Sequence, residues 1–316
     1  MRRGIRSRVP GEGPARFGPV CSRPALARFG ARAGAVQIIG ERSLKLVRFM
    51  SLGMVTAMFL VTAGTLAAAP RWQATLTKDP PGSFPPPRSL HANYVFGWSG
   101  ITAAIAEVQF ARLPGDWVQI QGVGRTVSLA RALWRYDVNY RAVGNSARMQ
   151  PGEAHQTDIY RGKKITTDLV FSENSVRSTR TETPPPPNKN KPKEFTLDRL
   201  FDLQTALLYV RSQPLEKGSA YRLVVYPSTN AYLATVTVTG REKISVRSGK
   251  YNAIKMDLQL KRIGKKMNLE PHRKFRRATI WVSDDPDRLV LRIEAQVFVG
   301  TVFAELQSVK FDEPRA

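Results

Sequence analysis

Cysteine, histidine and acid are all scarce in this chain. Its 316 residues hold one cysteine, three histidines and 25 acidic side chains against 49 basic ones. No C-x-x-C pair, H-E-x-x-H run or G-x-S-x-G elbow occurs. Thiol redox chemistry, zinc hydrolysis and the α/β-hydrolase mechanism therefore have no support in the sequence. His91, His155 and His272 are scattered, with no two at a metal-binding spacing. Ser146 in "GNSAR" lacks the closing glycine of a nucleophile elbow, and Gly122-Val123-Gly124 lacks the helix and lysine that would cradle a phosphate. No cofactor, metal or catalytic residue is expected. Hydrolysis by carboxylates alone, as in glycosidases, is the one enzyme class left standing.

The N-terminal region is unlike the rest. Residues 1–43 are rich in Arg, Gly, Ala and Pro without hydrophobic period. Arg42, Lys45 and Arg48 then flank a stretch, 49–70, that carries no charge and includes Ala67-Ala68-Ala69. A positive flank, an apolar run and small residues are what a signal peptidase reads, so 1–69 is expected to be a leader cleaved after Ala69. The alternative is an uncleaved signal anchor, since the run is long enough to span a bilayer. The first 43 residues are unusual for a signal peptide, and a true start near Met50 would account for them. Cys21 leaves with the leader, and a cysteine-free remainder suits an oxidising compartment. A periplasmic or exported protein is expected. Its basic excess then has lipid headgroups, lipopolysaccharide or another envelope amphiphile as partners, by peripheral contact, rather than nucleic acid.

Beyond the leader, 70–90 reads as a proline-rich tether ("DPPGSFPPPR" at 79–88), and order begins near His91. From there the apolar period is two. Trp134, Tyr136, Val138 and Tyr140 share one face of a strand, as do Tyr232, Ala234, Val236 and Val238 of another. Turn residues separate about ten or eleven such runs. The expected fold of 91–313 is all-β: one domain with a curved antiparallel sheet, or an open half-barrel, and one helix on its concave face. That helix is read from Leu197, Leu200, Phe201, Leu203, Leu207 and Leu208, with Thr196 as N-cap and Pro214 as stop. "SLARALW" at 128–134 opens with a further helical turn, and "TPPPPNKNKPK" at 183–193 is a flexible basic insertion.

Two stretches are candidate sites. In 261–277, "KRIGKKMNLEPHRKFRR", basic residues interleave with Met267, Leu269 and Phe275. Lys265, Lys266, Phe275, Arg276 and Arg277, with the aromatic face of Trp134, Tyr136 and Tyr140, are the candidate ligand or membrane contacts. In 278–306, Asp284, Asp285 and Asp287 fall between two strands. Asp and Pro build turns, and the oxygen count and glycine of a calcium loop are missing, so a solvated hairpin turn is expected. At Gly300 the apolar parity switches, which implies a bulge or tight reversal.

The order of these features resembles the bacterial exported family called domain of unknown function 3108. Trp281, Ser283, Asp284, Asp285, Arg288 and Gly300 match the family's W-x-S-D-D…R…G run. Weaker matches are "YVFGWSGITAA", "LDRLFDLQTALLYVR" and "SGKYNAIKMDL". The resemblance implies an exported, mainly β domain and no known active site. From the strand count, the aromatic face and the charge, the expectation is a non-enzymatic binding module that holds an amphiphile on the concave side of the sheet, with cationic loops near its mouth. The alternatives are a structural envelope protein and a carboxylate-based glycan hydrolase.

Overall fold

The computed structural model describes residues 71–187, 190–272, 275–297 and 300–312. The leader at 1–69 and its cleavage after Ala69 lie outside them. Eight strands follow one another as antiparallel neighbours: β1 (Leu90–Trp98), β2 (Ile101–Arg112), β3 (Trp117–Thr126), β4 (Tyr136–Asn145), β5 (Gln150–Tyr160), β6 (Lys163–Ser172), β7 (Ser175–Thr183) and β8 (Lys193–Thr196). A short helix, α1 (Ser128–Leu133), joins β3 to β4 as the sequence implies. After the two-residue β9 (Leu200–Phe201) comes helix α2 (Leu203–Ser212). The chain continues through β10 (Ala220–Val225), β11 (Tyr232–Val246), β12 (Gly249–Ile263), β13 (Leu269–Pro271), β14 (Phe275–Ser283), β15 (Val290–Val297) and β16 (Gly300–Phe311). β16 returns to pair with β1, merging both runs into one sheet with β8 and β9 at its ends and β13 held by β12.

The all-β fold with a curved, open sheet is what the alternation predicts. The excess over the expected strand number comes largely from β8, β9 and β13, which are too short to display a period. Curvature follows from one contact. β5 and β9 stand fourth and fifteenth along the sheet order, so a flat sheet would hold them about 50 Å apart at the usual strand spacing. Yet they touch, and α2 touches β4 and β5 as well as β9 and β10. The sheet has curled back on itself, with α2 between its two arms.

Two apolar cores hold the curl. Tyr209 and Leu208 of α2 pack with Ile254, Leu291 and Leu306 in the first. Leu169 and Val176 from one arm meet Val224, Tyr226 and Ile263 from the other in the second. Leu200 and Phe201 are adjacent on β9 and lie in different cores, because successive strand residues point to opposite faces.

Here the structure corrects the helix boundary. Leu197, Leu200 and Phe201 precede the helix, and Thr196 ends β8. Arg199 has φ of 60°, outside the helical region, and Leu200–Phe201 pair in parallel with Val224–Val225. The N-cap is Asp202, whose carboxylate accepts from Thr205 N at 2.7 Å while Thr205 Oγ1 accepts from Asp202 N. The C-terminal end before Pro214 is as expected. The 183–193 insertion also starts and ends in strand, at Thr183 of β7 and Lys193 of β8, while 188–189 fall outside the described residues.

Asp202 is buried, and desolvation raises its pKa against the opposing hydrogen bonds from Thr205. A raised folded-state pKa contributes stability that is complete below the unfolded value and lost as pH rises through the folded one. Asp202→Asn keeps the acceptor and removes the charge, so it should gain stability relative to wild type between pH 4 and pH 7. Asp202→Ala should lose about 1 kcal/mol at pH 4 through the missing cap. Thermal melts of both variants at the two pH values test this.

Candidate functional site

The family-signature residues assemble at the β14–β15 turn. Ser283 is fully buried; its Oγ donates to Asp285 Oδ1 (2.8 Å) and accepts from Leu289 N (2.8 Å). The same Asp285 oxygen accepts from the backbone N of Asp287 (2.9 Å) and Arg288 (3.1 Å). One carboxylate oxygen thus organises a whole turn, as short acidic side chains do. Asp284 is exposed and pairs with Arg241 at 2.9 Å. Trp281 Nε1 donates to Glu242 (2.6 Å) under the Lys255 ammonium.

The turn is as expected, but only Asp284 and Pro286 of it are exposed. Asp287 is buried and takes both Nε and Nη2 of Arg88, at 2.9 and 2.8 Å. Arg88 closes the proline-rich segment, which is no free tether. Thr77 N donates to Arg222 O (3.0 Å), and Phe84 N donates to Ser212 O (3.2 Å). A Cβ on Gly82 would stand 2.1 Å from Ser212 O, so only glycine allows this approach. Prolines have no N–H to give but keep their carbonyls. Here Arg211 donates to Pro85 O, Arg112 to Pro86 O and Pro87 O, and Gln213 to Pro80 O. Arg288 donates to the carbonyls of Arg211 and Gln213 and lies 3.5 Å over the Phe84 ring. Burial, then the neighbouring Arg288 charge, lowers the Arg211 pKa to about 10, so it is still cationic at neutral pH.

The remaining candidates divide by their position. Tyr140 is half-buried against the second core, and burial raises its pKa. It fills the core. Tyr136 Oη donates to Asp158 (2.5 Å), with its ring 5.5 Å from Trp134 and 6.3 Å from Tyr160. Trp134 caps α1 and is 51% exposed. In the basic stretch, Ile263 is buried and Met267 and Leu269 pack on the second core, because β13 folds back onto β12. Met267 and Leu269 are thus only partly exposed, turned toward the core rather than held out among the basic side chains as expected. Lys265, Lys266 and Arg277 are exposed, Phe275 is half-buried beside the His272 ring, and Arg276 lies within β14. Gly300 opens β16 at φ 121° in a tight reversal from Val297.

The register of the sheet decides which turns share an end. Trp98 pairs with Ile101 and Val302, Thr126 lies level with Ala104, and Tyr136 pairs with Tyr160. The β1–β2 turn, α1, the β5–β6 turn, the β15–β16 turn and the turn between β12 and β14 therefore emerge at one end of the strands. The β14–β15 turn emerges at the other, with those of β2–β3, β4–β5 and β6–β7. Large apolar side chains stand exposed at the α1 end: Trp98, Ile101 (67%), Leu129 (70%), Leu133 (79%) and Trp134. Charge is divided too. In the described turns of the α1 end, Arg131, Arg135, Arg161, Lys191, Lys265 and Lys266 face Glu270, with Asp137 of β4 paired to Arg131. At the opposite end Asp116, Glu173, Asp284, Asp285 and Asp287 are mixed with Arg148, Arg247 and Arg288, with the strap arginines Arg88, Arg112 and Arg211 close by.

Sequence reasoning missed one constellation. Asp168 lies 2.6 Å from His155 Nδ1, and His155 Nε2 lies 3.3 Å from Thr157 Oγ1. These roles resemble an acid–base–nucleophile relay. All three are on an open outer face, and the backbone of β5 is committed to ladders with β4 and β6, leaving no donors for an oxyanion. Cross-strand register creates the pair, and no local signal announces it. Among the described residues no cluster of three metal-ligating side chains occurs, and no helix is long and apolar enough to cross a membrane. A cleft of about 740 Å³ along Thr237, Arg241, Lys255, Asp257 and Arg277 is open and polar.

Replacing Asp287 by Ala leaves Arg88 without its carboxylate and weakens the hold on the 79–88 segment. The expected cost is about 3 kcal/mol, a fall in Tm of roughly 6–12 °C for a domain of this size. Hydrogen exchange should show loss of protection at Phe84 and Gly82, whereas Asp284→Ala should leave both unchanged.

A solved structure shows a similar architecture. A β-barrel-like protein of domain of unknown function 1849 from Brucella abortus superposes with a TM-score of 0.52 at 9% identity, over 73% of this chain and all of that one. The "putative lipoprotein" from Parabacteroides distasonis (TM-score 0.28, 9% identity, 74% of this chain and 100% of that one) is too distant to carry an argument. The same holds for the "putative exported protein with YmcC-like fold" from Bacteroides fragilis (0.29, 10%, 73% and 99%). No protein with a curated description matches. The sequence profile described as Protein of unknown function (DUF3108) matches residues 93–307, from β1 through the Ser283–Asp285 turn into β16, and the chain belongs to that family.

Proposed function

We propose that this is an exported, non-catalytic protein of the cell envelope that binds an anionic amphiphile, a lipid or lipopolysaccharide, with its outer surface. The observation that carries the reading is where the apolar residues go. The interior is occupied by two side-chain cores, with Tyr140 and Tyr209 filling space that a lipid carrier would leave open. Exposed Leu129, Leu133 and Trp134 instead stand beside basic turns. Cations beside exposed aliphatic and aromatic side chains suit a headgroup region, where charge pairs with phosphate and rings sit at the interface. Enzymatic readings find less support. The signature aspartates are consumed in turn and strap contacts, and the His155 relay has no oxyanion donors. An assembly role through sheet edges is weakened because β9 is two residues long and Thr77 covers the edge of β10.

The test is partition of the full chain onto vesicles. Binding to phosphatidylglycerol-containing vesicles should exceed binding to phosphatidylcholine. It should fall steeply as salt rises from 0.1 to 1 M and the Debye length shrinks from about 10 to about 3 Å. Lys265→Glu with Lys266→Glu should weaken it about thirtyfold or more, at roughly 1 kcal/mol per basic residue lost near the surface. Insertion of an apolar leader would be insensitive to salt. An absence of any salt-sensitive preference for the anionic vesicles sinks the reading.

A further inference from the structure

We infer that the protein lies on an anionic bilayer in one orientation, with the α1 end of the barrel against the lipid and the Asp287 turn pointing away. This rests on the amphiphile reading above and specifies the face and the pose. Three independent features coincide at that end. The first is apolar. Leu129 and Leu133 are one helical turn apart on α1, both more than two-thirds exposed, so they project from the same side. Trp98 and Ile101 flank the β1–β2 turn, and Val127 N donates to Ala103 O, which fixes α1 beside that hairpin. Tryptophan at such a rim matches the interface, where an apolar ring and a polar N–H are both satisfied.

The second feature is charge. The turns of this end carry Arg131, Arg135, Arg161, Lys191, Lys265 and Lys266 against Glu270, whereas at the opposite end Asp284 and Asp287 are paired with Arg241 and Arg88. A negative surface therefore attracts this end, where cations and exposed apolar side chains lie together. The third is the path of the chain. Trp72 Nε1 donates to Met267 O at 2.7 Å, inside the turn that holds Lys265 and Lys266. The chain thus enters the described domain at the α1 end, immediately after the uncharged stretch 49–70. A retained anchor would leave the domain at the face that meets the lipid. A cleaved one would leave the face itself unchanged.

Intrinsic fluorescence can read this pose. All five tryptophans, Trp72, Trp98, Trp117, Trp134 and Trp281, follow the leader, so quenching by doxyl-labelled lipid reports on the domain whatever the leader does. With phosphatidylglycerol vesicles the wild type should be quenched. Trp98→Phe with Trp134→Phe should reduce that quenching about twofold or more, because these rings sit at the interface. Trp117→Phe, at the opposite end, should leave the quenched signal intact. Leu129→Glu with Leu133→Glu, both on the surface and checked for folding by circular dichroism, should lower vesicle affinity about tenfold or more. If quenching persists in the double tryptophan variant, or disappears with Trp117→Phe, the orientation is wrong while the amphiphile reading stands. If the wild type neither partitions nor is quenched with anionic lipid, both fall together.

Discussion

A long antiparallel sheet that never closes its hydrogen-bond ladder has two edges to hide. That constraint governs this molecule. β8 and β9 end the sheet without pairing to each other, so closure has to come from side chains. The second core supplies it: Val176 and Leu169 of one arm pack with Val224 and Tyr226 of the other, Phe195 of β8 sits 5.9 Å from the Tyr226 ring, and Ser178 Oγ donates to Ser228 O across the gap. Closing a barrel by packing requires its interior to be full. The two cores fill much of the space between the arms, although Leu203 and Leu207 of α2 stay exposed, and on the function proposed above recognition falls to the outer surface.

The arginine excess is put to two uses. Part of it is structural. Arg88, Arg112, Arg211 and Arg288 hold a proline-rich segment that has carbonyls to offer and few N–H groups to take a place in a sheet. A guanidinium reaches several acceptors from one fixed plane, and lysine would not substitute for it there. The family signature belongs to this use, since Ser283, Asp285 and Arg288 shape the turn on which the segment rests. The rest is spread over the surface, and part of it, Arg131, Arg135, Arg161, Lys191, Lys265 and Lys266, lies at the opposite end, where apolar side chains are also exposed. A protein can tolerate scattered surface leucines; Leu129, Leu133 and Trp134 together on one small helix beside basic turns are harder to account for without a partner.

Local patterns told the truth about local structure. Two-residue alternation located β4 and β11. The 128–134 turn of helix, the hairpin at Asp284–Asp287 and the reversal at Gly300 were each legible, because each is decided by residues within a few positions of one another. The start of α2 was not. Leu200 and Phe201 have helical spacing with Leu203 and Leu207, and only pairing with Val224 and Val225 reveals them as strand.

What the chain determined by itself was therefore the class of fold, its turns and its excess of basic charge, since alternation, turn chemistry and composition are written in neighbouring residues. Tertiary structure alone decided that the 79–88 segment packs, that Asp287 is buried, that His155 meets Asp168, and that Met267 and Leu269 face inward. It also decided that charge and exposed apolar surface share an end. Each depends on contacts between residues far apart in sequence, and in a sheet those follow from register, which no short stretch contains.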